Sequence, residues 1–405
     1  MVPNGWMQKK FGEVTSIGNG QVDPKIEPYL SMIHIGPENV VSNTGQIINI
    51  KSCKDSDLIS GKYEFDENAI VYSKIRPNLN KVCKPDFNGV CSADMYPIWV
   101  NRDDLHKDYL FHYMLGPQFY KAAIAMSMRT GMPKINRNDL NTLNILLPPL
   151  AEQQKIAQIL STWDKAIAVT EQLLANSQQQ KKALMQQLLT SKKRLLDENG
   201  ARFEGEWRKG MLGDITIIDS GFAFKSIDFT ESEEGIPVIR MSDFKNGEIN
   251  TKDSAKISIE IIKGLDRYKL KVGDFIFGMS GSLNNYGWVS EKDIPCYLNQ
   301  RVGRILSKDN SNQIFIAYLY LSDMVQKTII DKAAGAAQLN ISIKDLREIK
   351  VCYPSKNEQQ KIAVVINTAA KEIEALQRKL DCLQQEKKAL MQQLLTGKRR
   401  VKVAA

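Results

Sequence analysis

The chain has no Gly-x-x-x-x-Gly-Lys-Ser/Thr stretch and no strand followed by Gly-x-Gly-x-x-Gly. This leaves no sequence basis for a P-loop or a dinucleotide cradle. Amino-methyltransferases grip an exocyclic amine with an Asn or Asp followed by Pro-Pro-aromatic. Here Leu147-Pro148-Pro149-Leu150 lacks both the polar first residue and the aromatic last one. Three histidines, His34, His106 and His112, are too few and too scattered to indicate a triad or a metal site. The acidic pairs Asp103-Asp104 and Glu233-Glu234 read as solvated turns. Cys53, Cys83, Cys91, Cys296, Cys352 and Cys382 form no CxxC and no metal-ligand spacing, and read as reduced packing residues. No catalytic residue and no metal ligand is therefore expected. No apolar run approaches a membrane span, and Pro3, Asn4 and Gly5 do not begin a signal peptide. The expected compartment is the cytoplasm, with no membrane partner. These absences favour a binding protein over a catalyst.

What the chain does have is an internal repeat. The ten residues Lys181 to Thr190 return unchanged as Lys387 to Thr396, and Glu152 to Ala157 return as Glu358 to Ala363, both at an offset of 206. One unit is written twice. In the second copy, alternating steps of four and three give Ile362, Ile366, Ala369, Ile373, Leu376, Leu380, Leu383, Lys387, Leu390 and Leu394. This is a heptad seam with one polar position. The first copy reads Ile156, Leu160, Trp163, Ile167, Thr170, Leu174, Ser177, Lys181, Leu184 and Leu188, a looser seam. Neither copy contains an internal Gly or Pro. The first helix is expected from Ala151 to Arg194. Ser355 and Glu358 read as a capping box for the second, Gly397 as its stop, and Lys398, Arg399 and Arg400 as residues suited to its negative pole. Two such seams are most simply satisfied by packing on each other within one chain; pairing between copies stays open.

The globular parts repeat the same plan in different letters. Ala69 to Tyr72 reads as a buried strand leading into a basic loop, Ser73 to Lys81; a second basic loop runs from Ser127 to Arg137. Lys107 to Met126 reads as helical, and Asn136 caps a turn at Asp139. In the second half, Gly273 to Phe277 leads into the Gly/Ser/Asn-rich loop Gly278 to Gly287, Ile314 to Lys332 is helical, and Ser342 with Asp345 repeats the cap. The helices are almost unchanged while the loops differ in chemistry, as expected of two readers of different targets. The net charge is +9, which suggests nucleic acid only weakly. Residues 355–405 hold 11 basic against 5 acidic residues, so much of the excess lies in a helix and its tail.

The layout resembles the specificity subunit of type I restriction–modification enzymes. The residues that carry the resemblance are Pro148 to Ala157 leading into a helix ending Met185 to Thr190, and their return as Pro354 to Ala363 and Met391 to Thr396. Gly273-Asp274-Phe275-Ile276 and Leu298-Asn299-Gln300-Arg301-Val302 are similar to motifs of the family's target-recognition domains. The resemblance implies an α+β chain: two mixed α/β target-recognition domains separated by an antiparallel coiled coil of two long conserved helices, with an internal pseudo-twofold repeat. The expected domains are 1–150, 151–200, 201–354 and 355–405. Each recognition domain would read half of a bipartite, asymmetric site in double-stranded DNA. Two methyltransferase (modification) subunits and two restriction/translocase subunits would supply adenine-N6 methylation or cleavage, together with S-adenosylmethionine, ATP and Mg2+; no cofactor is expected in this chain. The DNA contacts expected are Lys74, Arg76, Asn78, Arg129, Lys134 and Arg137 in the first domain. In the second they are Arg240, Ser282, Asn284, Asn285, Arg301 and Arg304. A coiled-coil scaffold that never touches DNA is the alternative from another class; a chain that is itself a nuclease or methyltransferase is a third.

Overall fold

The computed structural model describes residues 2–127, 133–245, 247–334 and 339–403. Two compact units emerge; the first is built from two separate segments and the second from one continuous stretch. The first takes Met1–Gln172 with Arg378–Ala405, the second Leu173–Gln377. Each long helix is therefore shared, one end with each unit.

In the first unit a four-stranded antiparallel sheet has the order Thr15–Ile17, Met95–Val100, Ile70–Ser73, Val82–Cys83. Its strand Ile70–Ser73 is fully buried, as expected of a short apolar run. A second sheet pairs Ile33–Ile35 parallel to Gly89–Cys91, with Lys51–Ser52 and Tyr63–Phe65 on its edges. The helical stretch is two helices, Lys107–Leu115 and Pro117–Ser127, because Gly116-Pro117 interrupts it. Asn136 caps the helix Arg137–Thr142 by accepting the Asp139 N–H. The strand Asn144–Leu147 then pairs with Met7–Lys10 just before the long helix.

The second unit repeats the first sheet as Thr216–Ser220, Val302–Ser307, Phe275–Gly278, Tyr286–Trp288. Its second sheet keeps a parallel pair, Ile236–Ile239 with Tyr297–Leu298, and the antiparallel neighbour Lys256–Ile257. The fourth strand differs: Phe229–Thr230 joins the opposite edge. Its helical stretch is also split, into Gln313–Tyr320 and Asp323–Ala333, with Ser322 capping the second piece.

Both long helices have 39 residues, Leu150–Leu188 and Lys356–Leu394. The first stops six residues short of the expected Arg194, because Ser191 adopts a left-handed φ of 57°. Gly397 takes the corresponding place after the second helix with a φ of 68°, where glycine carries no Cβ penalty. Every apolar seam residue named above is buried or half-buried. The ends of the seam belong to globular cores as well. Ile156, Leu160 and Leu394 join Phe11, Tyr109 and Phe119 in the first unit; Leu188, Ile362 and Ile366 join Phe275, Phe315 and Tyr318 in the second.

The repeated Glu-Gln-Gln has a structural meaning. Glu358, expected to close a capping box, instead lies buried with both carboxylate oxygens on Arg194, at 2.5 and 2.7 Å. Glu152 holds Arg400 the same way, at 2.7 Å through each oxygen, and also accepts the Trp6 indole N–H. Arg400 is thus not free at the helix pole: a buried carboxylate without water needs a paired donor, and this guanidinium supplies it. Gln153 and Gln359 each donate to a proline carbonyl at the helix start, Pro148 and Pro354. Each also accepts a backbone N–H from the preceding domain, that of His106 and Asn312 respectively.

Candidate nucleic-acid interface

Each unit ties two loops together with the same backbone pattern. In the first, Ile75 bridges Lys134, the Arg76 N–H donates to Pro133 O at 2.8 Å, and Ile135 N–H donates to Lys74 O at 2.9 Å. In the second, Ser280 bridges Asn340, Gly281 N–H donates to Leu339 O at 2.8 Å, and Ile341 N–H donates to Met279 O at 3.0 Å. The equivalent residue after the bridge is left-handed in both: Arg76 at φ 46° and Gly281 at φ 68°. Glycine adopts that conformation freely, whereas an arginine held there costs of order 1–3 kcal/mol.

The two basic loops of the first unit therefore meet. Arg76, Asn78 and Lys134 are exposed at their tips. Lys74 and Arg137 are placed differently, over the two sides of one aromatic cluster. The Lys74 Nζ lies 5.3 Å from the Tyr96 ring centre, and the Arg137 guanidinium 5.0 Å from the same ring and 6.0 Å from Tyr63. Arg137 also donates to Gly18 O at 2.5 Å. Burial pushes the Tyr96 hydroxyl up, with Arg137 opposing, so the phenol stays neutral. Arg129 lies outside the described residues.

In the second unit a cleft of about 560 Å³ is lined by Arg240, Ser282, Asn285 and Arg301. Four segments far apart in sequence supply its wall. Asn284 is exposed next to Asn285 but does not line the cleft. Arg304 is elsewhere altogether. It is buried, bonded to Asp219 at 2.9 Å and Asp274 at 3.2 Å, and donates to the carbonyls of Arg267 and Lys269. Its five donors are spent on the chain itself, so it is withdrawn as a DNA contact. The same bonds explain the Gly273-Asp274-Phe275-Ile276 motif: Gly273 turns at φ 89°, Asp274 anchors Arg304, and the next two residues fill the core. Sequence reasoning missed Phe224, Phe229, Ser242 and Asn299, which also line the cleft; a polar or aromatic residue far from the basic loops gives no local signal of this.

The histidines, scattered in sequence, produce one unexpected grouping. His112 Nε2 lies 3.2 Å from Ser161 Oγ, and its Nδ1 lies 3.8 Å from Asp164. This outline of a Ser-His-Asp triad lacks the features that let such a triad work. Burial, with Lys387 adding to it, lowers the His112 pKa to about 3, which makes the imidazole a feeble base. Asp164 is bonded to Lys387 instead, and Ser161 sits mid-helix, where backbone N–H groups are already used. Among the described residues no cluster of three or more His, Cys, Asp or Glu could hold a metal, and no helix is long and apolar enough to cross a membrane.

Known proteins resemble this chain over most of its length. The family model for the type I restriction modification DNA specificity domain matches residues 3–177 and again 204–385. The chain is 26% identical over 419 residues to the type I restriction enzyme MjaVIII specificity subunit of Methanocaldococcus jannaschii, covering 99% of this chain and 94% of that protein. It is 38% identical over 157 residues to the EcoDI specificity subunit of Escherichia coli, a match covering 39% of this chain and only 34% of that one. Among solved structures, the type I restriction–modification S subunit from M. genitalium superposes with a TM-score of 0.62 at 16% identity, covering 96% of each chain, which supports the fold. A chain from a structure of type I restriction–modification complex assembly superposes with a TM-score of 0.59 at 20% identity, covering 98% of this chain and 100% of that one. With two copies of the domain accounting for most of its length, the chain belongs to the type I restriction–modification DNA specificity family.

Proposed function

We infer that this chain is the non-catalytic DNA-recognition subunit of a type I restriction–modification complex, reading a bipartite, asymmetric site with one unit per half. The observation that carries this reading is the shared loop bridge, Ile75 to Lys134 and Ser280 to Asn340. One frame presents two different chemistries: a cationic tip in the first unit, and an arginine-, amide- and serine-lined cleft in the second. Arg76, Asn78 and Lys134 are the first unit's contacts, with Lys74 and Arg137 behind them on Tyr96; Arg240, Ser282, Asn284, Asn285 and Arg301 are the second's. An antiparallel coiled coil of the two long helices, with a pseudo-twofold relation, is supported by the reciprocal closures Glu152–Arg400 and Glu358–Arg194. In each, the start of one helix is bonded to residues just past the end of the other.

In this reading two modification subunits dock on the helical frame and methylate adenine N6, and two restriction subunits add cleavage. S-adenosylmethionine, ATP and Mg2+ are bound by those partners, and the complex works in the cytoplasm. The test is a genome-wide map of methylated adenines in the host, with and without this chain, in a strain where a methyltransferase co-purifies with it. Loss of a single split motif, modified on both strands, is the expected result. An unchanged map in that strain overturns the reading.

A further inference from the structure

The cleft of the second unit has an uneven lining. Arg240 and Arg301 stand beside the amides of Asn285 and Asn299, and among the described residues no carboxylate lines it. The Arg240 backbone N–H donates to Asp243 Oδ2 at 2.8 Å, while the buried side-chain Nε has no partner among the described residues. Asn299 Oδ1 accepts the Arg301 backbone N–H at 3.3 Å, which orients the Asn299 amide. The wall also contains two phenylalanines. Phe224 and Phe229 lie 6.3 Å apart centre to centre, and Phe222 backs Phe224 at 5.0 Å. Phe229 is only half-buried. A ring left in contact with water inside a cationic cleft calls for an apolar complement, and the one apolar group in the major groove is the thymine methyl.

We propose that this cleft reads guanine beside thymine in the second half-site. Arg240 and Arg301 donate to guanine O6 and N7, and the methyl of the neighbouring thymine packs on Phe229. Asn285 and Asn299 have the donor–acceptor pair that suits adenine N6 and N7. This rests on the DNA-reading function inferred above and goes further, to the composition of one half-site.

The test uses the full chain, with any co-purifying modification subunit, and a library of DNA duplexes randomised at every position. Arg301→Ala maps the half-site read by the second unit, because the positions it relaxes belong there. The expected consensus in that half-site contains a guanine next to a thymine. Arg301→Ala weakens discrimination at the guanine roughly tenfold. Replacing the thymine by deoxyuridine, which removes only the methyl, weakens binding by the wild-type chain roughly threefold to fourfold. Phe229→Ala abolishes that methyl sensitivity. The deoxyuridine arm needs no protein variant, so a folding defect in Phe229→Ala does not decide the outcome. Enrichment of a split motif without a guanine in that half-site, or without a methyl-sensitive thymine beside it, overturns this proposal and leaves the DNA-reading function standing. No enrichment from the library overturns both.

Discussion

Arg301 and Arg304 stand three residues apart and have opposite fates. Arg301 is exposed at the cleft; Arg304 is buried between two carboxylates. Nothing local in the sequence separates them, because Asp219 and Asp274 lie 85 and 30 residues away. Arg76 was legible as a basic loop residue, but its left-handed backbone was not; that shows only beside Gly281, its counterpart in the other unit. His112 was read as one of three scattered histidines, and the fold buries it against the first long helix. Its depressed pKa has a stability consequence with a definite sign. Above about pH 6.5 the imidazole is neutral whether the chain is folded or not, and it adds no slope. Below that, the unfolded chain takes up a proton that folded His112 refuses until about pH 3, so stability falls as pH falls. The slope from one proton is at most about 1.4 kcal/mol per pH unit. Asp164, pushed up by burial despite Lys387, acts in the opposite sense, adding stability as pH falls through its raised pKa. Urea denaturation from pH 7 down to pH 5 should therefore show this loss in the native chain, and His112→Gln should flatten it.

The two long helices show how one sequence element acquires two environments. The decapeptide Lys181 to Thr190 is identical to Lys387 to Thr396, yet the equivalent lysines differ. Lys387 is buried on Asp164, next to His112 and Ser161. Lys181 lies 5.4 Å over the ring of Tyr318, whose hydroxyl meets Asn367 at 3.4 Å. Tyr318, Asn367 and Ala370 occupy the positions of His112, Ser161 and Asp164 at the offset of 206. The period and polarity of these helices could be read from the letters, because a heptad pattern is local. The partner of each seam lysine could not, since it comes from another segment. Removing Lys387 leaves a mostly covered carboxylate without its ammonium, whereas removing Lys181 forfeits one cation–π contact and relieves the desolvation that lowers its pKa. Lys387→Met should accordingly destabilise by about 1–3 kcal/mol in chemical denaturation, and Lys181→Met should stay within about 0.5 kcal/mol of the parent.

At the scale of the molecule, the duplication and the order of sheets and helices followed from the repeat and from short apolar runs such as Ile70–Ser73. The composition of the compact units was hidden, because a helix belongs to whichever core its apolar residues enter, and each long helix enters two. The closure of those units carries one more implication. Arg194 bonds Glu358 and the carbonyl of Gly205, and the chain runs unbroken from one to the other. Arg400 bonds Glu152 and the carbonyl of Asn4 in the same manner. In each unit a single guanidinium thus holds together the first turn of one long helix, the segment that follows the other, and a loop carbonyl. Lysine keeps the charge but loses the two-pronged grip on the carboxylate. Arg194→Lys and Arg400→Lys should therefore each lower the midpoint of chemical denaturation relative to the parent chain.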